Sequence, residues 1–378
     1  MRAGASIALV GTRGVPARYG GFESAVEEVG KRLVERGHSV VVYCRNEGQN
    51  LDRYLGMKLV NLPAVRSKHF ETLSHTGVSV AHLCRHRCDA AIVFNAANAP
   101  FLPVLRARGI PTALHVDGLE WRRAKWGGAG KRYYLWAERL GVRTARRLIA
   151  DARGIQEYYR ERHGVDSTFI PYGAPILGHA GSNRLVEADL VPGRFHLVVA
   201  RMEPENNVDL IVRGYKASGA RLPLVVVGSA PHAEVYSAAV RREAVGADVR
   251  FLGSIWDQDL LNQLYANSAL YLHGHSVGGT NPSLLRGMGA AAPTAALDVD
   301  FNREVLGDEG RYFADADAVA ACVEWAENQG EEAVACGAAL QRRAARLYDW
   351  DEVAAGYERL VQELVELDGR PARSAASR

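Results

Sequence analysis

Cysteine is scarce in this chain: five residues in 378 (Cys44, Cys84, Cys88, Cys322, Cys336), odd in number and widely scattered. That pattern argues against a disulfide framework and for reduced thiols in a cytoplasmic setting. Long apolar runs are also missing. None reaches the ~18 residues of a transmembrane helix, and the opening MRAGASIALVG runs into a first strand without room for a signal peptide. Charge of one sign is slight, a formal +3, too little to imply nucleic acid by itself. There is no Walker sequence, no nucleophile elbow and no metalloprotease helix, so those hydrolase classes have no motif to stand on.

What is present is a repeating alternation of short apolar runs with amphipathic stretches. SIALVG (6–11), HSVVVYC (38–44), AAIVFN (90–95), PTALHVD (111–117) and RLIAD (147–151) read as parallel strands covered on both faces. Residues 22–36 carry an apolar stripe, Val26, Val29, Leu33 and Val34, of a helix closed by Gly37. The pattern lapses over 173–195, rich in Gly and Pro, and restarts with FHLVVAR (195–201), LPLVVVGS (222–229), DVRFLGS (248–254), ALYLHG (269–274) and APTAALD (292–298). The expected organisation is α/β: two Rossmann-like, doubly wound domains facing a central cleft, at 1–172 and 196–349, joined by a linker at 173–195. A helix over 350–368 and a disordered polar tail at 369–378 complete the chain. At 378 residues the length suits two such domains.

Ligands of doubly wound sheets bind beyond the carboxyl ends of the strands, so the residues just after strands are the candidates. GTRGVPARYGGFE (11–23) is a Gly-rich turn opening a helix, a phosphate cradle in principle, with Gly20 and Gly21 as its permissive points. Its spacing is not G-x-G-x-x-G, and the second strand ends in Cys44-Arg45 rather than an acid. An NADP-dependent oxidoreductase therefore survives only as a minority reading, through Arg45. In HVDGLEW (115–121), His115 and Asp117 share one face of a strand end, beside Glu120 and Trp121. In FHLVVARMEPENN, Arg201 follows a strand and suits phosphate oxygens, with an ion pair to Glu203 or Glu205 as the alternative. GHSVGGTNPSLLRGMGA (274–290) is the strongest local signal: Gly278 and Gly279 allow close approach, Thr280 reads as the helix N-cap, and Pro282 fits the first turn. Arg286 lies one turn inside that helix. One Gly-rich anion loop per domain suggests a diphosphate ligand.

Two metal-like patterns are discounted. In HLCRHRC (82–88) a helix would put His82 and His86 on one side and Cys84 and Cys88 on the other. Asp298-Val299-Asp300 resembles D-x-D but has no neighbouring carboxylate pair and reads as a loop. No metal site is expected.

The run GTRGVPARYGGFESAVEEVGKRLVERGHSVVVYCR closely resembles the opening of the bacterial rhamnosyltransferase-like group within family 4 of the retaining glycosyltransferases. HVDGLEWRRAKWG, ARMEPENNVDLIV, FLGSIWDQDLLNQLYANS, HGHSVGGTNPSLL and DVDFNREVLGD follow in that group's order, so the resemblance spans nearly the whole chain. It implies the GT-B fold, with the 350–368 helix crossing back to the first domain, and a metal-independent transfer of a sugar, rhamnose on dTDP being the leading guess. Carried over by position, Gly20 and Gly21 would lie by the donor phosphates and His115 near the transferred sugar. Arg201 would neutralise the diphosphate, and the amides of Gly278, Gly279, Thr280 and Asn281 would hold it. Asn206 stands, beside Asn207, where the broader family often has Lys. Gly278 and Arg286 stand where it has two glutamates, the second usually holding the ribose.

The resemblance thus implies His115, Asp117 and Arg201 as catalytic residues and Gly20, Gly21, Arg201, Asn206, Asn207, Gly278, Gly279, Thr280, Asn281 and Arg286 as donor-binding residues. No cofactor is expected beyond a dTDP- or UDP-linked donor substrate. The acceptor would be a glycan, a lipid-linked molecule or a small molecule, and nucleic acid is not expected. The segment 120–147 mixes Arg and Lys with Trp and Tyr, which suits either an anionic membrane surface or an ordinary solvated face. A peripheral place at the inner membrane face would follow from the first. The missing glutamates leave a second reading open, a nucleotide-sugar-binding relic without turnover.

Overall fold

The computed structural model describes residues 4–17, 21–45, 51–65, 67, 70–116, 118–123, 126–229 and 234–367. The chain forms two compact units, Met1–Tyr172 with Trp350–Arg378, and Gly173–Asp349. The expected tail at 369–378 lies outside the described residues.

The first unit runs β1 (Ser6–Val10), α1 (Gly21–Glu35), β2 (Ser39–Arg45), β3 (Arg53–Tyr54), β4 (Met57–Leu62), α2 (Glu71–Leu83), β5 (Ala90–Phe94), α3 (Leu102–Ala107), β6 (Thr112–His115), α4 (Gly128–Thr144), β7 (Arg147–Ala150), α5 (Arg153–His163) and β8 (Thr168–Phe169). Its sheet has the order β3-β4-β2-β1-β5-β6-β7-β8, parallel except for the β3–β4 hairpin. The second unit continues with β9 (His196–Val199), α6 (Val208–Ala217), β10 (Leu224–Val227), α7 (Glu234–Glu243), β11 (Val249–Gly253), α8 (Gln258–Ala266), β12 (Leu270–His273), α9 (Pro282–Gly289), β13 (Thr294–Leu297), α10 (Asp300–Leu306), β14 (Arg311–Phe313), α11 (Ala316–Asn328) and α12 (Gly330–Leu347). Its sheet, β11-β10-β9-β12-β13-β14, is parallel throughout.

Every strand expected from a continuous apolar run is a strand of one of these sheets. β5 and β12 are buried at each position, as strands covered on both faces must be. The strands that were not anticipated are short or lie at sheet edges. β4 alternates buried and exposed residues near one edge, while β8 and β14 are outermost, so none shows a continuous run. The periodicity-free stretch 173–195 packs along the second unit. Leu177 N–H donates to the Gly289 carbonyl at 2.9 Å, Arg184 N–H to Gln263 Oε1 at 2.9 Å, and Leu185 is fully buried.

The final helix, α13 (Trp350–Leu367), belongs to the first unit. Val353, Tyr357, Leu360, Val361 and Leu364 recur at helical spacing and join the core with Val26, Val29 and Leu33 of α1. Arg32 reaches Asp351 at 2.8 Å, and Arg36 and His38 reach Glu358 at 3.0 Å. These pairs lie at the rim, where each contributes little. The apolar seam holds the helix. Leu364→Ala should therefore cost roughly 2–5 kcal/mol, because the buried site cannot fully collapse around the smaller side chain. Urea unfolding of the first unit's transition measures it, and a loss below about 1 kcal/mol would mean the seam is loosely packed.

Candidate functional site

In a doubly wound sheet the two central strands send their connections to opposite faces, which opens a crevice beyond their carboxyl ends. In the second unit this point lies between β9 and β12. Sequence puts Arg201–Asn207 after β9 and Gly274–Asn281 after β12, and the fold lays the two loops side by side. Asn207 Nδ2 donates to the Gly274 carbonyl at 2.8 Å, and both the N–H and the hydroxyl of Ser276 donate to the Glu205 carbonyl at 2.9 Å. A Cβ on Gly274 would fall 2.3 Å from the Asn206 carbonyl oxygen, so only glycine permits the approach.

Within this pair of loops the expected residues divide into two sets. Asn206 is buried and its Nδ2 donates to the Arg201 carbonyl at 2.8 Å. Asn207, at φ 50°, directs its amide to the Glu205 and Gly274 carbonyls and opens α6. Both side chains shape the backbone. Arg201 is exposed, with Nη2 3.5 Å from Glu203 Oε2. That is the ion pair the sequence offered as the alternative, and it is long and solvated, hence weak. The N-cap of α9 is Asn281, not Thr280: Asn281 Oδ1 accepts the Ser283 N–H at 3.0 Å, while Thr280 is buried. Proline at the first helical position fixes which residue sits at the cap. Gly278 has φ +137°, which suits glycine. Arg286 donates to Gln258 Oε1 at 2.6 Å, with no carboxylate within ion-pair distance among the described residues. Burial lowers its pKa.

A cavity of about 280 Å³ beside these loops, lined by Met202, Ser229, Glu234, Arg241, Phe251 and Gly253, was not anticipated. The Arg241 guanidinium lies 4.4 Å from the Phe251 ring centroid. The readable signal was the Gly-Ser pair after each of β10 and β11. Gly228, at φ +134°, would place a Cβ 1.9 Å from the Ala200 carbonyl, and Ser229 and Ser254 hydroxyls meet at 2.6 Å.

The first unit has its corresponding point between β1 and β5. Here the Gly-rich loop is closed by its own helix. Arg13 N–H donates to Glu23 Oε1 at 2.9 Å and Ala17 N–H to Glu27 Oε2 at 2.7 Å, both from α1. The Arg13 and Ala17 amides of this loop thus already face carboxylates of the chain. Gly21 begins α1, while Gly20 lies outside the described residues. Arg45 is buried and bonded to Glu71 at 3.1 Å and Thr72 at 2.8 Å, so it presents nothing to a nucleotide phosphate.

His115 ends β6 inside an aromatic box. Its ring stacks on Phe94 at 5.5 Å and Tyr172 at 6.1 Å, with the edge of Phe22 at 5.3 Å. It is 1% exposed, and neither ring nitrogen has a hydrogen-bond partner among the described residues. Burial pushes its pKa down to about 3. Asp117 lies outside the described residues. Glu120 is buried, pairs with Arg123 and accepts from Trp126 Nε1 at 3.3 Å.

Among the described residues no group of three His, Cys, Asp or Glu is placed to hold a metal ion. The His82 and His86 rings stack at 4.0 Å, while Cys88 Sγ donates to the Ala90 carbonyl. Asp298 and Val299 lie in the loop between β13 and α10, as expected, while Asp300 begins α10; Asp298 is bound by Arg303 at 2.5 and 2.7 Å.

Two parallel-sheet units with strand-end loops of this kind define the GT-B class of fold. Solved structures agree. Sucrose-phosphate synthase from Thermosynechococcus elongatus is 18% identical with a TM-score of 0.81, covering 96% of this chain and 100% of that one. Anabaena HepE in complex with UDP-glucose is 13% identical with a TM-score of 0.74, covering 95% and 100%. WaaG, a glycosyltransferase involved in lipopolysaccharide biosynthesis, is 16% identical with a TM-score of 0.70, covering 95% and 99%. Two family models divide the sequence. Residues 194–328 match "Glycosyl transferases group 1" and residues 5–175 match a domain of unknown function, DUF1972. The second unit thus carries a group 1 glycosyltransferase domain. No curated protein matches the chain, and nothing in the comparisons supports an oxidoreductase.

The box around His115 makes a measurable prediction. The unfolded imidazole titrates near 6.5 and the folded one near 3, so the folded state refuses a proton that the unfolded state accepts. Stability is full above pH 6.5 and falls as the pH drops toward 3, by about 1.4 kcal/mol per pH unit for each such group. His75, lowered to about 4, acts in the same direction. His115→Phe, which keeps the ring and removes the titration, should flatten this slope by one group in urea unfolding between pH 4 and 6.5. An unchanged slope would show that water reaches His115.

Proposed function

We propose that the protein is a retaining, metal-independent glycosyltransferase that moves a sugar from a UDP- or dTDP-linked donor, with a deoxysugar such as rhamnose as the leading candidate. The observation that carries this reading is the paired loops beyond β9 and β12, in the unit matched by the group 1 model. An exposed Arg201, Gly278 at positive φ and the N-terminus of α9 converge on one strand-end crevice. Guanidinium and backbone N–H groups favour a diphosphate, and most strongly where its charge grows as the sugar departs. The cavity lined by Phe251 and Arg241 is sized for part of the donor's nucleoside. HepE was solved with UDP-glucose, which supports a nucleotide sugar as the ligand class.

In this mechanism the protein supplies no nucleophile. The acceptor hydroxyl attacks on the face the diphosphate leaves, and the leaving phosphate takes its proton. Arg201 exchanges its weak pairing with Glu203 for the diphosphate oxygens, and the loop amides hold the remainder. Asn206 and Asn207 act at one remove, by holding the loop. His115 is neutral at every working pH, so it carries no proton in this mechanism.

The acceptor is proposed to be lipid-linked and met at an anionic membrane surface, with a glycan or small molecule as the alternatives. On α4 the exposed residues Arg132, Trp136, Arg139 and Arg143 recur at helical spacing, and the helix's one acid, Glu138, is buried on the opposite side. Arg106 of α3 donates to the Arg143 carbonyl at 3.5 Å and widens this basic face. No helix of the described residues is long and apolar enough to cross a membrane, so attachment would be peripheral. Each basic residue contributes about 1 kcal/mol near such a surface.

Two measurements test the reading. Arg201→Ala should lower kcat/KM at least about 100-fold, the loss expected of a donor aimed at developing charge. A near-normal value removes Arg201 from the site, and a protein that binds nucleotide sugars without any turnover is the relic. Sedimentation with phosphatidylglycerol vesicles at low salt should retain the wild type and lose Arg132→Glu/Arg139→Glu/Arg143→Glu. Equal behaviour of the two removes the membrane surface.

A further inference from the structure

Beneath the 274–281 loop a line of polar groups runs through an apolar interior. His273, the last residue of β12, is 1% exposed, and its Nδ1 lies 2.8 Å from the Tyr271 hydroxyl. That hydroxyl donates to Ser283 Oγ at 3.2 Å, and Ser283 Oγ donates to Asn281 Oδ1 at 2.8 Å. The Ser283 N–H reaches the same Asn281 oxygen at 3.0 Å.

The proton positions follow by elimination. Tyr271 has a single hydroxyl hydrogen, directed at Ser283, so Nδ1 of His273 must be the protonated nitrogen that donates to Tyr271. Its Nε2 is then a bare acceptor, and it is buried without a partner among the described residues. Burial lowers the His273 pKa to about 3, so the ring stays neutral in the working range.

At the other end, Asn281 Oδ1 faces two donors from Ser283. Flipping the amide would set its NH2 against an N–H and an O–H, which no buried-side arrangement tolerates well. The oxygen is pinned inward and Nδ2 outward, and Nδ2 makes no hydrogen bond to any described residue.

We propose that His273, Tyr271 and Ser283 are positioning residues that lock the Asn281 amide with its NH2 outward, where it donates to the phosphate oxygens of the ligand. The inference rests on the donor-site reading above and adds a side-chain contact to it. It also explains why asparagine at this cap differs from aspartate. Both cap a helix equally well, but only asparagine offers N–H groups to an anion.

The test is titration calorimetry of the wild type and Asn281→Asp with inorganic diphosphate, UDP and dTDP. Aspartate keeps both hydrogen bonds from Ser283, so the melting temperature should hold. Affinity for all three probes should fall about 30-fold or more, since donors to an anion become a repelling carboxylate. Tyr271→Phe and Ser283→Ala should weaken binding by about 3-fold to 10-fold through looser aim. Nitrogen NMR should find His273 protonated on Nδ1. Asn281→Asp binding as the wild type, His273 protonated on Nε2, or a wild type that binds neither diphosphate nor nucleotide each overturns the inference. A wild type that binds inorganic diphosphate, loses it in Asn281→Asp and transfers no sugar leaves the relay standing and removes the transferase reading.

Discussion

The close approach of backbone to backbone at the carboxyl ends of the second sheet is the constraint on which the candidate site depends. A parallel sheet holds its strands less than 5 Å apart, about 4.8 Å, so the loops that leave neighbouring strands must crowd or diverge. Here they crowd. Gly228 lies against the Ala200 carbonyl and Gly274 against the Asn206 carbonyl, and neither position has room for a Cβ. Side-chain amides and hydroxyls then stitch the loops together, through Asn206, Asn207 and Ser276. The polar groups left over, Arg201 and the Asn281 amide among them, face outward because the inward positions are filled.

The two units use the same topology to different ends. Each has a Gly-rich loop at its central crevice, and each loop leads into a helix. In the first unit the helix returns Glu23 and Glu27 to two loop amides, those of Arg13 and Ala17. In the second unit the α9 cap is made by Asn281, a neutral side chain, and no acid of the helix turns back on the loop. A helix N-terminus favours negative charge whether it comes from the chain or from a ligand. In the first loop the chain itself brings that negative charge to the Arg13 and Ala17 amides.

Much of this was legible in the sequence, for a plain reason. Strands buried on both faces must be apolar throughout, and β5 (AAIVF) and β10 (LVVV) satisfy that rule. Arg201 and the 278–281 run were singled out because a strand end followed by glycine or arginine is a local signature. Strand β4, half-exposed near an edge, has no such signature, and 173–195 packs through single hydrogen bonds that leave no period. The cap at Asn281 was misplaced by one residue because Ser, Thr, Asn and Asp all suit that role. Only the position of Pro282 in the helix decides among them.

What the sequence determined by itself is the α/β class, the segments that form the apolar strands and the type of residue at each strand end; the order of strands in each sheet came from the fold. These depend on local hydrophobicity and turn chemistry, which a linear pattern records. Tertiary structure alone decided which polar groups are free. Glu23 and Arg13 are ten residues apart, Asn207 and Gly274 sixty-seven, yet hydrogen bonds between them shape the strand-end loops. It also enclosed His115 among Phe22, Phe94 and Tyr172, and so holds its ring away from water. Desolvation depends on every neighbour in space, and no spacing along the chain encodes it.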